Sequence, residues 1–155
     1  MIQIQSKMNI KDFLTAGQKE DVSAAVREAE LQTSGEIRLH LENHCKGEVR
    51  DRAAFIFCKL GMRATAERNG VLFYVAVKDR KFAILGDAGI NAKVEAGFWD
   101  DIKDSMAGQF KEHRYGEGIV LGVRMAGEQL GTHFPFHPGD KNELDDEISY
   151  GGAKR

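Results

Sequence analysis

The sequence predicts an α/β protein, a three-layer α/β/α sandwich in which a small mixed sheet is flanked by helices. Three observations carry this prediction. Glu36 to Glu42 alternates polar and apolar residues, the period of a strand with one wet face. Val71 to Val77 is apolar throughout and rich in β-branched and aromatic residues, as a central strand requires. Apolar residues at helical spacing precede, separate and follow these two runs.

Each element follows in chain order. Thr15 is an N-cap for a first helix in which Val22, Ala25, Val26 and Ala29 recur at helical spacing, with Gly35 as a stop. The alternating strand comes next. A second helix spans about Val49 to Leu60, with Ala53, Ile56, Phe57 and Leu60 facing inward. Arg68-Asn69-Gly70 leads into the apolar strand. The polar connection Lys78-Asp79-Arg80-Lys81 turns it into a third strand, Phe82 to Leu85, as a hairpin. A short turn near Ile90 to Val94 precedes helices from about Trp99 to His113 and Gly116 to Leu130. Their inward residues are Trp99, Ile102, Met106 and Phe110, then Ile119, Val123, Ala126 and Leu130.

A helical crossover, expected to be right-handed, makes the first two strands parallel, and the tight turn makes the third antiparallel to the second. Parallel strands start at one edge of a sheet, and the antiparallel strand ends there. Glu36, Asn69 and Gly86-Asp87 are therefore expected at one rim.

The chain has 155 residues and a mass of 17.2 kDa, the size of one domain. That domain is read over 10–135, with a polar, acidic C-terminal tail over 136–155. Pro135 and Pro138 mark the boundary, and Asp140 to Glu147 carries five acids and one lysine. Lys and Arg total 22 and Asp and Glu 24, so the net charge is 22 − 24 = −2. With a pI near 6.2 no global basic field exists, which argues against a nucleic-acid partner. No run approaches the roughly 18 apolar residues of a membrane span, and the N-terminus lacks the apolar stretch of a signal peptide. Two cysteines make no disulfide framework, so a cytoplasmic protein with reduced thiols is expected.

The rim is the sharpest chemical candidate. Calcium or magnesium seeks carboxylate, carbonyl and amide oxygens converging on a point. Asp87, Glu36, Asn69, Asn91, Asp100 and Asp101 are the available metal ligands, and Gly86 and Gly89 shape the loop between them. The plainer account stays open: Gly-Asp is turn chemistry, and an aspartate at a helix start is a cap. Arg68 is a candidate anion contact and the only obvious cation near the rim.

Other chemistries find less support. Cys45 to Arg50 and Cys58 to Arg63 each place four residues between cysteine and arginine, where the phosphate loop of cysteine phosphatases has five. Cys58 falls in an apolar helical stretch and reads as a buried, inert thiol. His40 and His44 lie on a strand and a loop, not on one helical face, and the histidines read as solvated. No HExxH, P-loop, GxGxxG or GxSxG occurs. Asp140 to Asp145 begins like a calcium loop but lacks its sixth-position glycine and twelfth-position glutamate. Phe98-Trp99, Phe110 and Tyr115 read as core aromatics.

Four stretches together resemble the TPM domain family: Thr33-Ser34-Gly35-Glu36-Ile37, Arg68 to Phe73, Phe82 to Ile90, and Tyr115-Gly116-Glu117-Gly118-Ile119. That family is named after a thylakoid lumen phosphatase-like protein, a photosystem II repair protein and a nematode receptor modulator. The similarity covers about Ile10 to Leu130. It implies an α/β/α sandwich and weak binding of a divalent cation (Ca or Mg) at the rim, with Asp87 and Glu36 as the family's acids. It also implies an acid-phosphatase activity claimed for some plant members. Many relatives carry a signal peptide and a C-terminal membrane helix; this sequence has the character of a single-domain, soluble bacterial branch. The expected function is a divalent-cation-binding module that contacts an unidentified protein partner as a monomer, serving assembly or repair. The alternative is a metal-dependent acid phosphatase using the same carboxylates, and a third reading is a structural factor without metal.

Overall fold

The computed structural model describes residues 9–137 and 148–151. A 3-10 turn at Ile10–Asp12 precedes helix α1 (Ala16–Glu30), strand β1 (Glu36–Glu42), helix α2 (Val49–Lys59) and a 3-10 turn at Met62–Ala64. Strands β2 (Gly70–Ala76) and β3 (Lys81–Gly86) follow, then α3 (Ala88–Asn91), α4 (Phe98–Lys111), α5 (Tyr115–His133) and β4 (Ser149–Gly151).

Local chemistry places the ends. Thr15 Oγ1 accepts from the Gln18 backbone while the Gln18 side chain accepts from the Thr15 backbone, closing a capping box on α1. Gly97 enters α4 at φ 87°, a left-handed conformation that a glycine adopts without a steric penalty.

The four strands lie in the order β3-β2-β1-β4. β1 and β2 are parallel, with Glu36 opposite Gly70 and Glu42 opposite Ala76. β2 and β3 are antiparallel, with Val71 opposite Gly86. β1 and β2 are thus parallel, and β2 and β3 antiparallel, as expected. One face of the sheet, through Ile37, Leu39, Phe73 and Ile84, packs on residues of α1, α4 and α5. The other, through Leu72, Tyr74, Ala76 and Ala83, packs on Ala53, Ile56 and Phe57 of α2 and on Met62. This is the α/β sandwich.

Several expectations are corrected. The polar side of β1 is not wet: Glu36, His40 and Glu42 are 3%, 3% and 0% exposed. His40 is therefore not a solvated histidine; its Nδ1 lies 2.7 Å from Ser149 Oγ and its ring stacks on Tyr74. Cys58 is exposed and Cys45 is the buried thiol, because the inner stripe of α2 runs through Ala53, Ile56 and Phe57 and leaves Cys58 outside. Within the stretch read as a polar tail, residues 149–151 form β4, parallel to β1 from His40 opposite Ser149 to Glu42 opposite Gly151. β1 would otherwise leave a row of backbone donors and acceptors unpaired. Ile148 and Tyr150 also pack on the core. The calcium-loop stretch Asp140 to Asp145 lies outside the described residues.

Candidate functional site

The strand register brings Glu36, Gly70 and Gly86 to the same end of the sheet. The loop after β3 is bound into it by backbone bonds: Asp87 N donates to Gly70 O at 2.9 Å, and Gly89 N to Arg68 O at 2.7 Å. Gly89 sits so close to the preceding turn that a Cβ there would lie 2.0 Å from Glu67 O. Only a glycine permits that approach. At Gly86 a Cβ would meet the Trp99 ring at 2.5 Å.

Asp87 is 7% exposed and caps α3. Its Oδ1 accepts from Ala88 N at 2.7 Å. Arg68 grips both carboxylate oxygens: Nε donates to Oδ2 and Nη2 to Oδ1, each at 2.7 Å. Burial acts to raise the Asp87 pKa, but the Arg68 guanidinium and the Ala88 N–H outweigh it and hold the carboxyl below its ordinary value. Arg63 adds a weaker attraction, so Arg68 is not the only cation near the rim. The Arg68 side chain is 41% exposed on its outer side.

Asn69 is 1% exposed. Its backbone N donates to Thr65 Oγ1 at 3.2 Å, and its Nδ2 to Ser34 Oγ at 3.2 Å. Its Oδ1 is buried and accepts no hydrogen bond among the described residues. A buried acceptor without a donor is costly and calls for a ligand or a water.

The remaining candidates lie apart. Asn91 is exposed and already engaged: Nδ2 donates to Gly86 O at 2.8 Å and Oδ1 accepts from Trp99 Nε1 at 2.8 Å. With Asp100, Arg50 and Gly86 it lines a shallow groove of about 190 Å³. Asp100 and Asp101 are exposed in the first turn of α4, where carboxylates suit the helix dipole. Among the described residues no three His, Cys, Asp or Glu side chains gather as a metal site. Of the expected ligands, Glu36, Asn69 and Asp87 share the rim, and a cation there must compete with Arg68 for Asp87.

Sequence reasoning missed a second polar centre. Glu42 is bound by Arg52, Tyr74 and His40 at the far end of β1. Its only sequence signal is an acid in a strand whose neighbouring polar position is a histidine. The aromatic residues read together as core also divide. Phe98 and Trp99 pair near the rim, whereas Phe110 and Tyr115 line a cavity at the other end.

A family model described as the TPM domain matches residues 8–129. The NMR structure of the BA42 protein from the psychrophilic bacterium Bizionia argentinensis is similar at 44% identity and a TM-score of 0.85, covering 92% of this chain and 99% of that one. The N-terminal domain of a P. gingivalis protein matches at 21% identity and a TM-score of 0.65, over 81% of this chain and 83% of that one. The N-terminal domain of the cg2496 protein from Corynebacterium glutamicum matches at 9% identity and a TM-score of 0.60, over 92% and 82%. The last two likenesses are of fold. No curated protein matches the chain.

Proposed function

This chain belongs to the TPM domain family, and from that premise we propose that it is a binding module, not an efficient enzyme, whose rim takes a divalent cation weakly and presents the rim loop to a protein partner. The observation that carries the proposal is the buried, undonated Oδ1 of Asn69 on the same rim as the ionised carboxylate of Asp87. Those two oxygens and the buried Glu36 carboxylate would hold a hard cation, Ca or Mg, which prefers such donors. The Arg68 guanidinium occupies the place of the positive charge on Asp87 and, being partly exposed, has room to swing away. Such an exchange makes weak affinity the natural outcome. Two free thiols, one of them exposed, suit a reducing cytoplasm. No helix among the described residues is long and apolar enough to cross a membrane.

Residue-resolved titration of the isotope-labelled protein with calcium and then magnesium tests the reading. Saturable amide shifts at 36, 69–70 and 86–91, with a dissociation constant of about 0.1–1 mM, are expected. A titration that leaves these amides unmoved overturns it.

A further inference from the structure

A cavity of about 390 Å³ opens at the end of the sheet opposite the rim, against Val75, Ala76 and Val77. This is the carboxyl end of parallel strands β1 and β2, outside which open α/β sheets place their ligands. The volume lies in the range of small-molecule sites. The wall is a continuous series of rings. Phe82 meets Phe110 at 5.0 Å between centroids, Phe110 meets Tyr115 at 5.4 Å, and Tyr115 meets Phe13 at 5.2 Å. Ala107 also lines the cavity and contributes only a methyl group.

The charged side chains around this wall are of one sign. Arg80 and Lys111 are exposed there, and no aspartate or glutamate lines the cavity. Arg80 and Lys111 form no ion pair among the described residues. Lys81 also lines the cavity, but its ammonium group donates to the carbonyls of Cys45 and Gly47 and is committed elsewhere. The chain as a whole carries a net charge of −2, so the positive character belongs to this patch.

We propose that the cavity binds a small amphipathic carboxylate. Its aliphatic or aromatic body sits on the rings of Phe82, Phe110 and Tyr115, and its anionic head meets Arg80 and Lys111. The apolar wall supplies affinity through burial, and two uncommitted cations select an anion over a neutral analogue.

The test titrates the full chain with the fluorescent anion 1-anilinonaphthalene-8-sulfonate and displaces it with decanoate. Saturable one-to-one binding is expected, displaced by decanoate and not by equimolar decanol. The double variant Arg80→Glu, Lys111→Glu should weaken decanoate binding about tenfold or more without changing the melting temperature. Ala107→Trp should abolish binding by filling the space. Should Ala107→Trp fail to fold, the exposed double charge reversal decides alone. Equal displacement by decanol, unchanged binding in the double variant, or retained binding in a folded Ala107→Trp overturns the proposal. So does a signal that tracks dimer formation in sedimentation, which assigns the cavity to a second copy of the chain.

Discussion

Arg52 reaches from α2 to clasp Glu42 of β1 through two bonds, Nε to Oε2 at 2.8 Å and Nη2 to Oε1 at 2.9 Å. The Glu42 carboxylate is fully buried, and the Arg52 side chain is 30% exposed. The Tyr74 hydroxyl donates to the same carboxylate, and His40 Nε2 lies 3.4 Å from it. Burial by itself pushes Glu42 upward, but hydrogen bonds from Arg52, His40 and Tyr74 overcompensate and hold it far below its ordinary value of 4.5. Burial and the Glu42 charge together raise the Tyr74 hydroxyl above its ordinary range.

Removing Arg52 leaves a buried carboxylate short of its charge partner. Arg52→Met should cost about 3 kcal/mol at pH 7, measured by urea unfolding. The pH dependence supplies the sign. The depressed Glu42 pKa stabilises the wild type fully above about pH 4.5, and that contribution fades as pH falls toward the folded value. In Arg52→Met burial raises the Glu42 pKa instead. The gap between variant and wild type should therefore narrow from pH 7 to pH 3. A gap constant with pH would mean that Glu42 is held ionised by something other than Arg52.

Two rim variants should move cation affinity in opposite directions. Asp87→Asn removes a ligand charge and should weaken calcium binding about tenfold in a calorimetric titration. Arg68→Ala removes the competing guanidinium and should strengthen it. Crowded carboxylates at the metal-free rim would have made Asp87→Asn neutral or stabilising; because Arg68 already neutralises Asp87, it should instead lower stability slightly.

β4 depends on a residue with no side chain. A Cβ at Gly151 would lie 2.7 Å from His40 Nε2 and 2.8 Å from Glu42 Oε1. Gly151→Val should lift β4 from β1 and cost about 1–3 kcal/mol. Hydrogen exchange should speed at the β1 amides that face β4, while amides between β2 and β3 stay protected.

Phosphatase activity should be slow. A committed enzyme turns over on the order of 1–1000 times per second. The rim's Arg68 is engaged with Asp87 and is not free to hold a phosphate. Hydrolysis of p-nitrophenyl phosphate should fall far below that range, with a residue of activity unchanged in Asp87→Ala and Glu36→Ala. Robust turnover lost in both variants would make the rim a catalytic centre.

Periodicity and turn chemistry made the fold legible. The alternation at 36–42, the apolar run at 71–77 and the short polar turn at 78–81 dictate strand directions, and those directions gather Glu36, Asn69 and Asp87. Such signals are local, and a backbone with two soft dihedrals per residue answers to them locally. The candidate site was legible as a place but not as an electrostatic arrangement. That Arg68 would close on Asp87 depends on a turn folding back across the strand pair, which neither residue type announces.

What the sequence determined by itself was which segments before Pro135 form the main helices and strands β1 to β3, which way those strands run, and many of the apolar residues that turn inward. The tertiary structure alone decided which polar residues meet. His40 and Ser149 stand 109 positions apart yet lie 2.7 Å from each other, and Glu42 sits in a strand pattern that reads the same whether its polar face meets water or an arginine. Alternation records that a face is polar. Only the packing of α2 and β4 around β1 determines whether that face is solvated or buried and paired, because charge pairing depends on distance in space and leaves no period along the chain.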